Sequence, residues 1–542
     1  MSRLIRSVMI FAIFASASIL HADSNWNVPY GSWSDANNWA EVAVPTATDN
    51  VYISNAGTSV VDSVGNICLG FKMGNGTGTT GCLDIVSGDL VSSGRVDVAY
   101  SGSTVATINM TDGLFTSTSS INIGYNGFAN FNQSGGTNDF YEFIVAKNLG
   151  SEGVFNLSSG QLDIGNGCYM GWGGKGTFYQ SGGVLICQKF FIIGLRANDE
   201  VSCYQQTNGY SFAKAINIGY NSGSAGRMDI FNTSEHVSEG STYVGLSGCG
   251  ELNIYDSADF CIYNSQLYVG DNPGSTGVIN LVSGSLSLSN TSYKVLYVGN
   301  EGSGTLNLGN AETTGVVTNQ RFATGGTLIV KATAAGEGTV NGWGDVGLYY
   351  ILENNGRIIA NGYGTERALN LSNFTSFDND IDNTTDNGWF AINQGELILA
   401  DVSVSGAGSY NWGELSTDTS LDLVNSARLT LSDGSGDLTG KLLASDRTDF
   451  PAGLEKVIGA WKFSGVTPSS SILSFRYDDV LAAEKGLSTE KLAVYQFVDG
   501  SWIRVTDSVD DVNKIITTTS VSTLSTFAVA AAPALGSIFI VQ

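Results

Sequence analysis

The sequence predicts an all-β protein: a parallel β-helix, or solenoid, followed by an antiparallel β-sandwich. Three observations predict it. The hexapeptide INIGYN stands at residues 121–126 and again, letter for letter, at 216–221. Two separate marker motifs recur with a common period of about 25 residues. The composition, with 69 Gly, 6 Pro and 42% apolar residues, argues against collagen and disorder. Gly, Ser, Thr and Asn fill the gaps between short apolar pairs, which excludes long helices.

Residues 1–22 read as a secretory signal peptide. Arg3 and Arg6 precede an apolar run from Val8 to Leu20, and small residues follow. Cleavage is expected after Ala17 or Ala22, of which Ala22 is preferred because the Trp-containing segment begins directly after Asp23. The run is too short for a membrane span, and no later stretch supplies one. An exported protein without a transmembrane segment is therefore expected.

Residues 23–64 form a leading segment with Trp33, Trp39 and Pro45; its two tryptophan rings are suited to closing the open end of a stack of strands. Residues 65–310 hold the regular repeat. The first marker is an apolar residue followed by Gly or Ala, at Gly70, Ala99, Gly124, Ala146, Gly171, Gly194, Gly219, Gly245, Gly270 and Gly299. The second is apolar-x-apolar around a central polar or aromatic residue. Its centres are Asp84, Asn109, Asn132, Asn156, Tyr179, Tyr204, Asp229, Asn253, Asn280 and Asn307.

Both markers alternate with period two, as strands do. A strand of three to five residues cannot bury itself, so each must stack on its copy in the next repeat. That places Ile121 and Ile123 inward, Asn122 outward, and Gly124 at a corner. The outward Asn and Asp residues then form a row along the rod, suited to amide–amide hydrogen bonding.

Residues 311–405 keep strand alternation with a weaker period and read as irregular coils. Residues 406–530 carry more charge, less Gly and longer strands separated by turns such as Asp499-Gly500, as in a β-sandwich. Residues 531–542 are a short tail.

The pattern VGxxGxGxLNIxxSGxL, over about residues 65–310, resembles the repeat of type V secretion passengers and PEP-CTERM-associated proteins of bacteria. The segment GSWSDANNWAEVAVPTATDNVYI at 31–53 is similar to the part that leads into such passengers. The resemblance implies a right-handed β-helix with a cell-surface or adhesive role. The ending AAAPALGSIFIVQ departs from it, since a PEP-CTERM tail needs Pro-Glu-Pro, an apolar span and an Arg cluster.

Chemistry-bearing residues are sparse. His236, in NTSEHVSEG, is the histidine left after signal cleavage, and a polar neighbourhood predicts solvated surface. Glycosidases need two facing carboxylates. Asp84 and Asp229 in the polar row lie about six coils apart, and Asn cannot transfer protons. Arg95, Lys147, Lys175, Arg196 and Arg227 are expected one per coil, scattered. DNDIDN at 378–383 fails the EF-hand pattern, with Asn383 and Trp389 where Gly and Glu are needed, so calcium is not signalled. Trp461 and Trp502 sit in strand patterns and read as core.

Seven cysteines without a CxxC motif read as buried hydrophobes, with one or two bridges allowed. The net charge of −25 repels phosphate backbones and argues against nucleic acid. The expectation is a non-catalytic structural or adhesive element without metal or cofactor, exported to a bacterial surface. Glycans or cell-surface components are its expected partners, and polysaccharide binding or cleavage is the alternative.

Overall fold

The computed structural model describes residues 23–531 apart from 199, 290–293, 311–314, 319–325, 334, 348–350, 355, 363–366, 372–375, 379–388, 400–401, 413–424, 446 and 448. Residues 1–22, expected to be a signal peptide, most of the 378–383 acidic run and the tail beyond Ala531 lie outside the described residues.

The chain winds into a parallel β-solenoid. Each full coil contributes one strand to a straight sheet and two strand segments, or one long bent strand, to a second sheet. In one coil these are Val105–Met110 and Leu114–Ile123. The bend lies at Ser117 to Ser120, where the register shifts. Each coil therefore presents three outer faces, one from the straight sheet and two from the limbs of the bent one.

Register confirms the hexapeptide argument. Ile121 pairs with Phe143, Phe143 with Cys168, Cys168 with Phe191, and Phe191 with Ile216. The two copies thus occupy one position four coils apart, about 19 Å along the axis at ordinary strand spacing. Ile121, Ile123, Ile216 and Ile218 are fully buried. Asn122 lies on the outer side as expected, yet it too is fully covered, by its neighbours on the face.

Corners explain the first marker. At ten successive corners from Gly74 to Gly299, φ lies between +56° and +79°. Glycine takes that left-handed conformation without strain. A Cβ at Gly124 would also collide with the Glu152 carbonyl. Ala99 and Ala146 adopt the same conformation despite their methyl groups. One marker is misplaced in the sequence reading: Gly70 opens a strand, and the corner of that coil is Gly74. The strand FKM supplies the apolar alternation, and its Gly at either end fits the motif equally well.

The interior is largely apolar and rich in aromatic rings. Phe131–Phe155 and Phe155–Phe178 meet edge to face with centroids 5.0 and 4.7 Å apart, and Tyr204 continues the series against Phe178 and Phe191. Each such pair adds about 0.5–1.5 kcal/mol beyond area burial. At the leading end Trp26, Trp33 and Trp39 pack edge to face and are buried. The segment carrying them already follows the coil register, because Asp23–Asn25 pairs in parallel with residues of Asn50–Ile53.

Coils continue past residue 310, with Gly336–Gly342, Arg357–Asn361 and Trp389–Gln394 extending the straight sheet. Parallel stacking stops at Glu396–Ile398, which pairs antiparallel with Gly436–Leu443. That long strand belongs to the C-terminal module, so the last edge of the bent sheet is covered by pairing. A five-stranded antiparallel sheet packs against the sheet containing Gly436–Leu443 and Gly459–Ser464. Trp412, Trp461, Phe463, Phe475 and Phe527 fill the space between them.

Candidate functional site

The outer row of the straight sheet is an amide ladder. Asn109 donates through Nδ2 to Asp84 Oδ1 at 2.8 Å, Asn132 to Asn109 at 2.9 Å, and Asn156 to Asn132 at 2.8 Å. Tyr179 and Gln205 interrupt it. It resumes with Asn253 on Asp229 at 2.8 Å, Asn280 on Asn253 at 2.7 Å, Asn307 on Asn280 at 2.8 Å and Asn341 on Asn307 at 3.2 Å. Parallel in-register stacking holds equivalent side chains about one strand spacing apart, which is what one amide needs to reach the next.

Tyr204 does not belong to this row. Gln205 pairs with both Tyr179 and Asp229, while Tyr204 points inward and is fully buried. Its hydroxyl donates to Gln180 Oε1 at 2.6 Å. In the string CYQQ an aromatic residue suits either side of the sheet, and only the register decides between them.

The second half of the ladder carries a charged cluster. Arg227 Nε meets Asp229 Oδ2 at 2.9 Å. Asn253 Nδ2 reaches both Asp229 Oδ1, at 2.8 Å, and Glu251 Oε1, at 3.1 Å, and Asn280 Nδ2 lies 3.4 Å from the same Glu251 oxygen. One amide therefore spans two carboxylates on neighbouring coils. Glu251 is not a central residue of the second marker, so the repeat pattern does not single it out. The signal was present: Glu251 lies two residues before Asn253, hence on the same side of the strand.

A shallow cleft of about 300 Å³ opens beside this cluster, lined by Glu251, Asn253, Tyr255, Asn280, Leu281, Val282, Asn307 and Gly309. Tyr255 stacks on Phe231 at 4.6 Å and forms an aromatic wall. Asn132 and Asn307 each engage one N–H and the oxygen along the rod and keep a further N–H and a lone pair. Such a surface suits a neutral, hydroxyl-rich ligand.

Asp229 is 6% exposed and spends its oxygens on Arg227 and Asn253. Glu251, half-buried, is the carboxylate that faces the cleft. Burial, then Asp229, pushes the neighbouring Cys203 thiol up to about 11, so it stays protonated at neutral pH.

His236 corrects the sequence reading. It lies inside the solenoid, fully buried, with Nδ1 3.0 Å from Ser211 Oγ and its ring stacked on Phe260. Glu235–Ser238 alternates outward and inward, which aims His236 at the core. All seven cysteines are free thiols: Cys68, Cys168 and Cys187 are buried, Cys82, Cys203 and Cys261 half-buried, and Cys249 exposed. Trp461 is core, whereas Trp502 is half-buried against Phe450 and Phe497.

Among the described residues no three His, Cys, Asp or Glu side chains converge as a metal site would require, and no helix is long and apolar enough to cross a membrane. No family profile, curated protein or solved structure matches the chain. The fold therefore stands on its own geometry: the protein is a parallel β-solenoid with antiparallel sheets at its C-terminal end.

Proposed function

We propose that this protein is an exported, non-catalytic structural or adhesive element whose amide face contacts glycans. One observation carries the reading: outward amides are held in register over successive coils, each fixed by the next, with hydrogen-bonding capacity left over at Asn132 and Asn307. Such a face binds weakly per unit and strongly per length, as suits an adhesive rod. The basic and apolar residues of 1–22 support export, and the resemblance to bacterial surface passengers supports a place outside the cell.

A second reading, cleavage of polysaccharide, draws on the Asp229 and Glu251 pair beside the cleft. The two carboxylates share one amide on the same side of a flat face. Glycoside hydrolysis instead needs them on opposite sides of a scissile bond.

One experiment separates the two. The purified protein is incubated with neutral and acidic polysaccharides, and both retention and new reducing ends or unsaturated uronates are measured. Retention without new ends is expected. Chain cleavage that disappears in Glu251→Gln would overturn the structural reading.

A further inference from the structure

Four cations expected to scatter one per coil, or not singled out at all, gather instead on one edge of the solenoid. The edge is formed by the second limb of the bent sheet and the corner that follows it. Lys72 Nζ sits 4.3 Å from the Tyr100 ring centroid, and Tyr100 stacks on Tyr125 at 5.3 Å and 14°. The Arg95 guanidinium lies 5.0 Å from the Tyr125 ring. Lys147 Nζ lies 3.6 Å from the Trp172 ring, and the Arg196 guanidinium 5.6 Å from the same ring. Tyr169 braces Trp172 edge-on at 4.8 Å.

Register gives three of the four a period; Lys72, on Gly70–Met73, sits one coil before Arg95 and falls outside it. Arg95 belongs to the coil of Val96–Val98, Lys147 to that of Thr137–Val145, and Arg196 to that of Val184–Ile193. One coil separates each from the next, so cations recur along the axis every two coils, about 9.6 Å.

The local balance is positive in a chain whose net charge is −25. Asp97, paired with Arg95 at 2.8 Å, and Glu142, near Lys147, offset part of it. Among the described residues neither Lys147 nor Arg196 forms an ion pair. Burial, with Arg196 and Arg95 nearby, lowers the Lys147 basicity even against the pull of Glu142. A cation so placed gains from an incoming anion. Arg196 is exposed, and the Arg95 side chain is 47% exposed, so both heads are reachable.

We infer that this edge, built from Arg95, Lys147, Trp172 and Arg196, is a binding track for an acidic polysaccharide lying along the rod axis. Cations at regular intervals recognise a polymer with regular charges better than a single small anion. An extended β-linked hexose advances about one inter-coil step per residue, so a cation on every second coil matches one carboxylate per disaccharide. The aromatic edges between cations offer apolar contact to the sugar C–H groups. This track is distinct from the amide face and does not depend on it.

The test uses the full chain and three polymers: hyaluronan, with one carboxylate per disaccharide; dextran, which is neutral; and a single-stranded oligonucleotide of matching charge. Calorimetry is expected to show hyaluronan binding that weakens with salt and little binding of the oligonucleotide, whereas dextran, a ligand for the amide face, is expected to bind without that salt dependence. The double variant Lys147→Gln/Arg196→Gln keeps side-chain length and is expected to bind hyaluronan at least about tenfold more weakly. Its melting curve checks that it remains folded. Lys462→Gln, at an exposed position of Gly459–Ser464 in the C-terminal module, removes a positive charge elsewhere and is expected to leave hyaluronan binding unchanged.

Unaltered hyaluronan affinity in the double variant, equal binding of the oligonucleotide, hyaluronan binding as indifferent to salt as that of dextran, or no binding of hyaluronan would each overturn the track. If Glu251→Gln alone abolishes hyaluronan binding, the glycan belongs to the amide face. The track then fails while the glycan-contact reading stands.

Discussion

Asn126 and Asn221, the last residues of the two hexapeptide copies, do the same thing four coils apart. Asn126 donates through Nδ2 to the Tyr100 carbonyl and Asn221 to the Leu195 carbonyl, both at 2.6 Å. In each case the acceptor is the backbone of the corner one coil earlier. The repeated string therefore encodes a clasp between corners as well as a strand and a turn.

Replacing Asn221 by Leu removes that clasp and leaves the Leu195 carbonyl without its side-chain donor. A net loss of about 1 kcal/mol is expected, rising to about 3 if the carbonyl stays buried. Urea unfolding measures it. Asn126→Leu provides the internal comparison, and because Asn148 also donates to Asn126 Oδ1, it should cost more than Asn221→Leu. Equal stability of both variants and the wild type would remove the clasp from the account.

The corners make a second comparison. Ala99 and Ala146 hold φ values of +56° and +60° that an alanine reaches only with strain. Exchange for glycine relieves roughly 1 kcal/mol of it, offset in part by the greater freedom of glycine in the unfolded chain. Ala146→Gly is thus expected to be neutral or mildly stabilising. The reverse exchange, Gly219→Ala, adds the strain and drives a methyl into the Cys249 carbonyl, so it should lower stability by more than 1 kcal/mol. Thermal denaturation of the two variants side by side should give shifts of different size; equal, sizeable losses for both would contradict the corner argument.

How much of this was legible depended on repetition. Ile121 and Ile123 could be placed inward because apolar alternation recurs at the same phase in every coil. Gly124 could be placed at a corner for the same reason. Gln133 was not legible as a structural residue: it points inward, and its Nε2 reaches the carbonyls of the following corner and of Gln161. Gln180 and Gln206 repeat that bond to a corner carbonyl, at Gly183 and Gly209. Glutamine looks solvent-facing until one knows that a corner carbonyl needs a donor from inside. The gathering of Arg95, Lys147 and Arg196 was hidden for another reason. They occupy different positions of the repeat and converge through side-chain length, which no spacing rule reveals.

Asn280 offers a pH-dependent test of the amide ladder. Its Nδ2 donates to Asn253 Oδ1 at 2.7 Å and lies 3.4 Å from Glu251 Oε1, while its own oxygen accepts from Asn307. Asn280→Asp keeps the acceptor but turns the donor into a second carboxylate oxygen facing acceptors. The new carboxylate is expected to titrate above the usual range, because like charge and lost donation both favour the protonated form. A group whose folded pKa is raised favours the folded state at low pH and loses that contribution as pH rises. Asn280→Asp should therefore lose about 1–3 kcal/mol relative to wild type at pH 8 and recover part of it near pH 5. Chemical denaturation at both pH values checks the sign; a deficit that grows on acidification would show that the ladder is not transmitting the donor.

His236 gives the opposite sign. Burial among Phe191, Tyr204 and Phe260 holds its basicity down to about 3, and Nε2 has no hydrogen-bond partner. In an unfolded chain the imidazole titrates near 6.5. Between those values the unfolded chain takes up a proton that the folded one refuses. The neutral ring's contribution is therefore complete above about pH 6.5 and is lost progressively as pH falls toward 3, by up to about 4 kcal/mol. Asp97 works the other way, since burial raises its carboxyl pKa and protonation then favours the folded chain. Other carboxylates titrate in the same window, so the decisive quantity is a difference between two proteins. His236→Phe keeps an aromatic ring against Phe260 and removes the titration, at the cost of leaving Ser211 to Tyr204 and Gln206 alone. Unfolding free energies from pH 4 to pH 8 are expected to fall less steeply with acidification in the variant than in the wild type. Parallel curves would mean that the buried imidazole does not govern the acid sensitivity of the solenoid.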